Sequence, residues 1–179
     1  EKNNLCVYIM LSFTLAFIGW CFEVLNEIRK GHGFINRGVL HGPLLPIYGF
    51  GGLIIYILLK KFYKKPIIVF SLSFIISAVI EYATSFYLEL TKGMVWWDYS
   101  KKPFNLNGRI CLLYTLVFAL FATILYYFVI PKIINLLKKI NYKVLSAISI
   151  ILLSLYLVDN IYSTKKPNIV RGAHIVRKN

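Results

Sequence analysis

The feature that most constrains this chain is a series of stretches, each about twenty residues long, that carry almost no charge. Leu5 to Leu25 holds a single charged residue, Glu23, and Ile110 to Ile130 holds none. A hydrocarbon core of about 30 Å is crossed by a helix of roughly 20 apolar residues. In lipid every backbone N–H and C=O must find a partner within the protein, which leaves helices as the natural solution for such runs. The same criterion selects Ile67 to Leu90 and Val144 to Tyr162. It also admits Leu44 to Leu59, which is shorter and interrupted by Pro46, Gly49, Gly51 and Gly52. The expected fold is all-α: a polytopic membrane protein with five transmembrane helices, at about 5–25, 44–59, 67–90, 110–130 and 144–162. The fourth is expected to stop at Pro131. These form one transmembrane domain over 1–163, followed by a basic C-terminal tail over 164–179.

Composition points the same way. Of 179 residues, 58% are apolar and 16% charged, whereas a soluble domain carries about a quarter charged residues. Lys and Arg number 21 against 7 Asp and Glu, for a net charge of +14. On a soluble chain that balance suggests nucleic acid. Here the basic residues cluster between apolar runs, as in Lys60-Lys61, Lys64-Lys65, Lys138-Lys139 and Lys165-Lys166, where lysines hold helix ends at the lipid headgroups. The lipid bilayer is the expected partner and nucleic acid is not. Cys6, Cys21 and Cys111 lie singly in apolar runs, without the pairing or spacing of a disulfide framework or zinc site. No cofactor and no metal is expected, and no nucleotide-binding or hydrolase motif occurs. Any ATP that drives the protein must therefore be bound by another chain.

Two kinds of loop alternate. Lys60–Pro66 and Lys132–Lys143 are plain, Lys-rich and free of acids. Asn26–Pro43 and Thr91–Arg109 are longer and mix Gly, Asn, Arg, His, Trp and Asp. Alternation of the spans places these two long polar-motif loops on one face. Short acid-free Lys clusters are the usual cytoplasmic signal, so the polar-motif loops are expected to face outwards from a cell membrane.

Charged residues inside spans are costly and normally face a bundle interior or a wet cavity. Glu81 lies fifteen residues beyond Pro66, about 22 Å along the helix, and the same arithmetic places Glu23 at a similar level. Arg37 and Arg109, at the ends of the two polar-motif loops, are the expected partners of these two acids. The candidate binding set is Glu23, Asn36, Arg37, His41, Glu81, Trp97, Asp98, Asn107 and Arg109; no residue is assigned a catalytic role. The alternative for the acids is that they only stitch helices together, and for Trp97 that it anchors at the membrane interface. His41 reads more readily as a hydrogen-bonding residue than as a base, and His32 and His174 are expected to be exposed. The stretch through Pro43 and Pro46 can dip into the membrane and start the second helix below the surface, which is tolerated where irregular backbone packs on protein. An Asn-Arg-Gly cluster before the second helix is echoed by Asn107-Gly108-Arg109 before the fourth. This echo suggests a parallel duplication of residues 5–59 and 67–130.

Several strings together resemble a known family. Gly19-Trp20 with Glu23, Asn36-Arg37-Gly38 with Gly42-Pro43, Pro46-Ile47-Tyr48-Gly49, Glu81-Tyr82, Trp96-Trp97-Asp98-Tyr99, Phe104-Asn105 and Gly108-Arg109 occur in this order. Over roughly residues 10 to 130 they resemble the ABC-transporter type IV family of bacterial membrane proteins, a predicted permease family. The resemblance implies a permease-like transmembrane subunit, working with an ATP-binding subunit in trans or as a homo-oligomer. It carries over no substrate and no residue roles. Two other readings stay open: a membrane-embedded enzyme acting on a lipid-linked or apolar substrate, and a non-catalytic membrane factor that binds a partner protein or lipid.

Overall fold

A computed structural model describes residues 2–169 and 174–175. Half of the expected C-terminal tail lies outside the described residues, and so does the expected exposure of the His174 side chain, only the backbone of that residue being described. Among the described residues the regular structure is helical apart from four two-residue strands. It comprises α1 (Lys2–Arg29), α2 (Pro46–Leu59), a 3₁₀ turn (Lys60–Phe62), α3 (Pro66–Lys92), α4 (Leu112–Ile124), a π-helical turn (Leu125–Val129), α5 (Ile130–Lys138) and α6 (Tyr142–Lys165). Antiparallel strands β2 (Asn105–Leu106) and β3 (Ile110–Cys111) form a small hairpin, and β1 (Met94–Val95) pairs with β4 (His174–Ile175).

Among the described residues four helices are long and apolar enough to cross a membrane: Asn4–Arg29, Pro66–Lys92, Leu112–Lys138 and Tyr142–Lys165. The second expected span is the exception. Helix α2 has 14 residues, about 21 Å at 1.5 Å each, too short to cross alone. Its late start has a visible cause. The amide of Leu45 donates to the carbonyl of Ala16, 3.1 Å away, and Ala16 lies about 20 Å along α1 from that helix's end at Arg29. The chain therefore runs down beside α1 as irregular backbone before Pro46, whose missing N–H suits a first helical turn, begins α2.

The fourth expected span also differs, because the helix does not end at Pro131. Proline has no N–H for the carbonyl four residues earlier, and the π turn over Leu125–Val129 absorbs this defect, with the amide of Ile130 donating to the carbonyl of Leu125. The rod continues to Lys138. The widened turn brings two tyrosines to the end of α2: Tyr126 donates to the Leu59 carbonyl at 3.0 Å and Tyr127 to the Tyr63 carbonyl at 2.7 Å. These carbonyls belong to a helix end that lacks intrahelical donors.

The core sits towards the Lys-rich turns. Cys6, Val7, Leu11 and Leu15 of α1 pack with Leu125, Ile130, Ile134 and Leu137 of the rod and Leu145 of α6. Beside them Ile55 and Leu59 meet Val69 and Tyr126. At the other end a smaller cluster of Leu88 and Trp96, with Ile35, Val39, Met94 and Trp97 against it, lies beneath the long loops. The outward faces carry exposed Ile67, Val79, Leu90, Leu113, Leu120, Leu155, Val158 and Ile161. A contiguous apolar exterior of this extent belongs in lipid rather than water.

Candidate functional site

A cavity of about 390 Å³ lies between the core and the loop-side cluster, within the size range of small-molecule sites. One wall is a face of α3, where Ser77, Ile80, Glu81 and Thr84 recur at helical spacing. Opposite stand Tyr156, Asn160, Ser163 and Thr164 of α6. The start of α2 contributes Leu45, Pro46, Ile47 and Tyr48, while Phe118 and Phe121 come from α4. Both long loops reach this space: Arg37, Gly38, Val39 and Leu40 from the first, Trp96, Trp97 and Tyr99 from the second.

The polar groups fall into separate sets. Glu23 accepts a 2.7 Å bond from the Tyr48 hydroxyl and faces Nε of Arg37 at 3.7 Å. Glu81 is only 4% exposed. Its carboxyl is hydrogen-bonded by the hydroxyl of Tyr99, while among the described residues its Oε2 has no hydrogen-bond partner. Burial, with the Glu81 and Glu23 carboxylates nearby, pushes the Tyr99 hydroxyl far above the usual phenol range. Tyr99 therefore remains a donor at any physiological pH.

Four of the nine candidate residues line the cavity: Glu23, Arg37, Glu81 and Trp97. Trp97 is oriented by a 2.8 Å bond from its indole to the Arg109 carbonyl. The other five sit behind the wall. Asn36 accepts from the Trp20 indole at 2.7 Å and donates to the His41 carbonyl at 2.8 Å. His41 lies against α6, with Nδ1 3.0 Å from the Ser163 hydroxyl and its ring edge-on to Tyr162. Asp98 folds its own turn, accepting from the amide and hydroxyl of Ser100, and so sets the place of Tyr99. Asn107 donates to the Tyr82 hydroxyl at 2.9 Å. Arg109 does not meet Glu81 or Glu23. It pairs with Glu89, donates to Ser85 at 3.2 Å, and lies over the rings of Tyr82 and Phe86. His32 is bonded to Glu27 at 2.7 Å rather than free in solvent.

Sequence reasoning missed Tyr48 and Tyr99, the two hydroxyls on the acids, although both stand inside the quoted Pro-Ile-Tyr-Gly and Trp-Trp-Asp-Tyr strings. It also missed Lys92, whose ammonium donates to the carbonyls of Ser163 and Thr164 at 3.3 and 3.2 Å and so ties α3 to the end of α6. Asn168 carried no signal at all. Its amide side chain donates to the carbonyls of Asn36 and Gly38, and its own carbonyl accepts from the Trp96 indole. Among the described residues no group of three His, Cys, Asp or Glu side chains is placed to hold a metal ion.

Neither the curated proteins nor the solved structures gave a match. A family model does match, over residues 10–164, under the description "Putative ABC-transporter type IV". The match reaches past the strings that first suggested it and takes in α6, whose Ser163 and Asn160 form part of the cavity wall. This chain, a small membrane protein with four apolar helices long enough to span a bilayer among its described residues, belongs to that family.

Proposed function

We propose that the chain is a permease-like transmembrane subunit of a transporter, and that the cavity between α3 and α6 is its substrate site. The single observation that carries this reading is the cavity itself: about 390 Å³ of space, apolar along most of its wall, with Glu23, Arg37 and Glu81 at its polar side. Helix packing alone would close such a space, since protein interiors are packed to near crystal density. Family membership supports the transport class. A short helix that begins part-way across the bilayer, preceded by irregular backbone, is also a recurrent feature of transporter binding sites. In this reading the polar-motif loops face outwards, the Lys-rich turns face the cytoplasm, and ATP is bound by a partner subunit.

Two measurements test this. Purified in mild detergent from its native host, the chain should retain an ATP-binding subunit; recovery of the chain alone, or only with copies of itself, overturns the transporter-subunit reading. Ser77→Phe places a ring in the cavity. It should leave folding intact, judged by an unchanged elution profile, while abolishing stimulation of the partner's ATPase activity. Full stimulation with the cavity filled overturns the assignment of the site.

A further inference from the structure

We infer that the cavity takes an amphipathic amine: an apolar body bearing a protonated primary or secondary amine that donates its N–H groups to Glu81. The inference deepens the substrate-site reading above and rests on it. Its starting point is how the charges around the cavity are distributed. Glu23 has the Tyr48 hydroxyl and Arg37. Arg109 is spent on Glu89 and Ser85, two turns and one turn along α3 from Glu81. Lys92 is held by two carbonyls at the end of α6. Of the two acids that line the cavity, Glu81 is the one without an ion pair among the described residues; it has one neutral hydroxyl donor and an Oε2 without a partner among the described residues. A carboxyl buried in this way is costly unless it is paired, and a ligand cation supplies what the protein withholds.

The rest of the wall fits the same ligand. Tyr48, Tyr99, Trp97, Phe118 and Phe121 all line the cavity, and aromatic rings favour a cation near their faces. Further along, Ile55, Leu125 and Ile130 line it too, giving an apolar length suited to a hydrocarbon body. Access is consistent with a molecule dissolved in lipid. Tyr87 lines the cavity and is 62% exposed on α3, one of the helices apolar enough to cross a membrane, so the lining continues onto the outer surface of the bundle. An amine of this kind can be a free alkylamine or the headgroup of an aminophospholipid, and both present the same N–H donors.

The test uses the full-length protein in nanodiscs of phosphatidylcholine. The readout is the fluorescence of Trp96 and Trp97, which line the cavity, with octylamine, octanol and octanoate as probes. Octylamine should bind at least about tenfold more tightly than octanol, the range expected for a charge-assisted hydrogen bond. Glu81→Gln should remove that preference while leaving octanol binding unchanged. Retained octanol binding also shows that the variant is folded. Equal binding of amine and alcohol, unaffected by Glu81→Gln, overturns the amine inference but leaves the cavity as an apolar site. Failure of every probe overturns the site reading with it. Competition from phosphatidylethanolamine in the nanodisc assigns the amine to a lipid headgroup; undiminished octylamine binding in its presence assigns it to a free amine. Loss of the ATP-binding partner in the detergent experiment, with amine binding retained, would separate the ligand class from the transporter reading.

Discussion

Gly49 lies where α2 crosses α1 so closely that a Cβ there would sit 2.6 Å from the carbonyl oxygen of Ser12 and 3.1 Å from Cβ of Ala16. The obstacle is helix backbone, which has no rotamer to change. Gly51, two residues on, faces only the tip of Ile80 at 3.5 Å, an ordinary contact. Gly49→Ala should therefore destabilise the protein by about 1–3 kcal/mol, as overpacking does, and Gly51→Ala by much less. Thermal unfolding in one detergent, followed for both variants, checks the contrast; equal melting points would mean the two helices are not held at this distance. Gly19 serves the site more directly, since a Cβ there would lie 2.3 Å from Cγ of Tyr48, the residue whose hydroxyl reaches Glu23. At this scale the sequence was readable where depth alone decides. Counting residues along a helix placed Glu23 and Glu81 at one level, and both line the cavity. It was not readable where a turn decides. Arg109 follows Asn107 and Gly108, both with positive φ, in a three-residue hairpin loop between Leu106 and Ile110. Read as plain loop running into a helix, the segment gave no sign that Arg109 would be turned to Glu89.

Helix α6 acts as a clamp on the first long loop. The carboxylate of Asp159 accepts from two consecutive amides of that loop, His41 at 3.0 Å and Gly42 at 2.8 Å. Ser163 meets the His41 ring one turn later, and beyond the helix Asn168 holds the carbonyls of Asn36 and Gly38. An Asp accepting from two amides makes charge-assisted bonds of about 1.5–3 kcal/mol each. Asp159→Ala removes both, whereas Asp159→Asn keeps one acceptor oxygen. Limited proteolysis between Gly31 and Gly42 should accelerate several-fold in the Ala variant and by an intermediate amount in the Asn variant; unchanged cleavage would show that the loop is held without α6. The two helix pairs also carry a parallel arrangement of contacts. In the first, Trp20 bonds Asn36 and Glu23 faces Arg37; in the second, Tyr82 bonds Asn107 and Glu89 pairs with Arg109. The Asn and Arg of the echo were legible in the sequence, because short polar strings stand out against apolar runs. The length of the rod was not. Pro131 reads as a stop under the rule for an α-helix, and the π turn that absorbs it leaves no mark in a run as uniformly apolar as Leu125 to Ile130.

At the scale of the whole molecule, the apolar exterior fixes a membrane setting but not which end faces which compartment. The two ends differ in chemistry. One carries the turns at Lys60–Lys65 and Lys139–Lys143; Lys60 donates a 3.3 Å bond to the Tyr8 hydroxyl near the start of α1, and its ammonium lies over the Tyr56 ring of α2. That tyrosine partner and ring raise the Lys60 ammonium above the usual lysine range, so it stays charged throughout the physiological range. A fixed cation in an acid-free cluster is what retention on the cytoplasmic side acts upon. The other end carries Lys101 and Lys102 within a longer loop of mixed composition, with Asp98 and Glu89 near by. Single cysteines at the exposed positions 101 and 138 report on the two ends in turn. Cys6 and Cys111 are buried and Cys21 is half-buried, so a Cys21→Ser background leaves the reporter as the reactive thiol. In intact cells a membrane-impermeant maleimide should label Lys101→Cys and spare Lys138→Cys until the membrane is opened. The opposite pattern would turn the cavity end towards the cytoplasm, and the Lys-rich turns could then no longer be the surface offered to an ATP-binding partner.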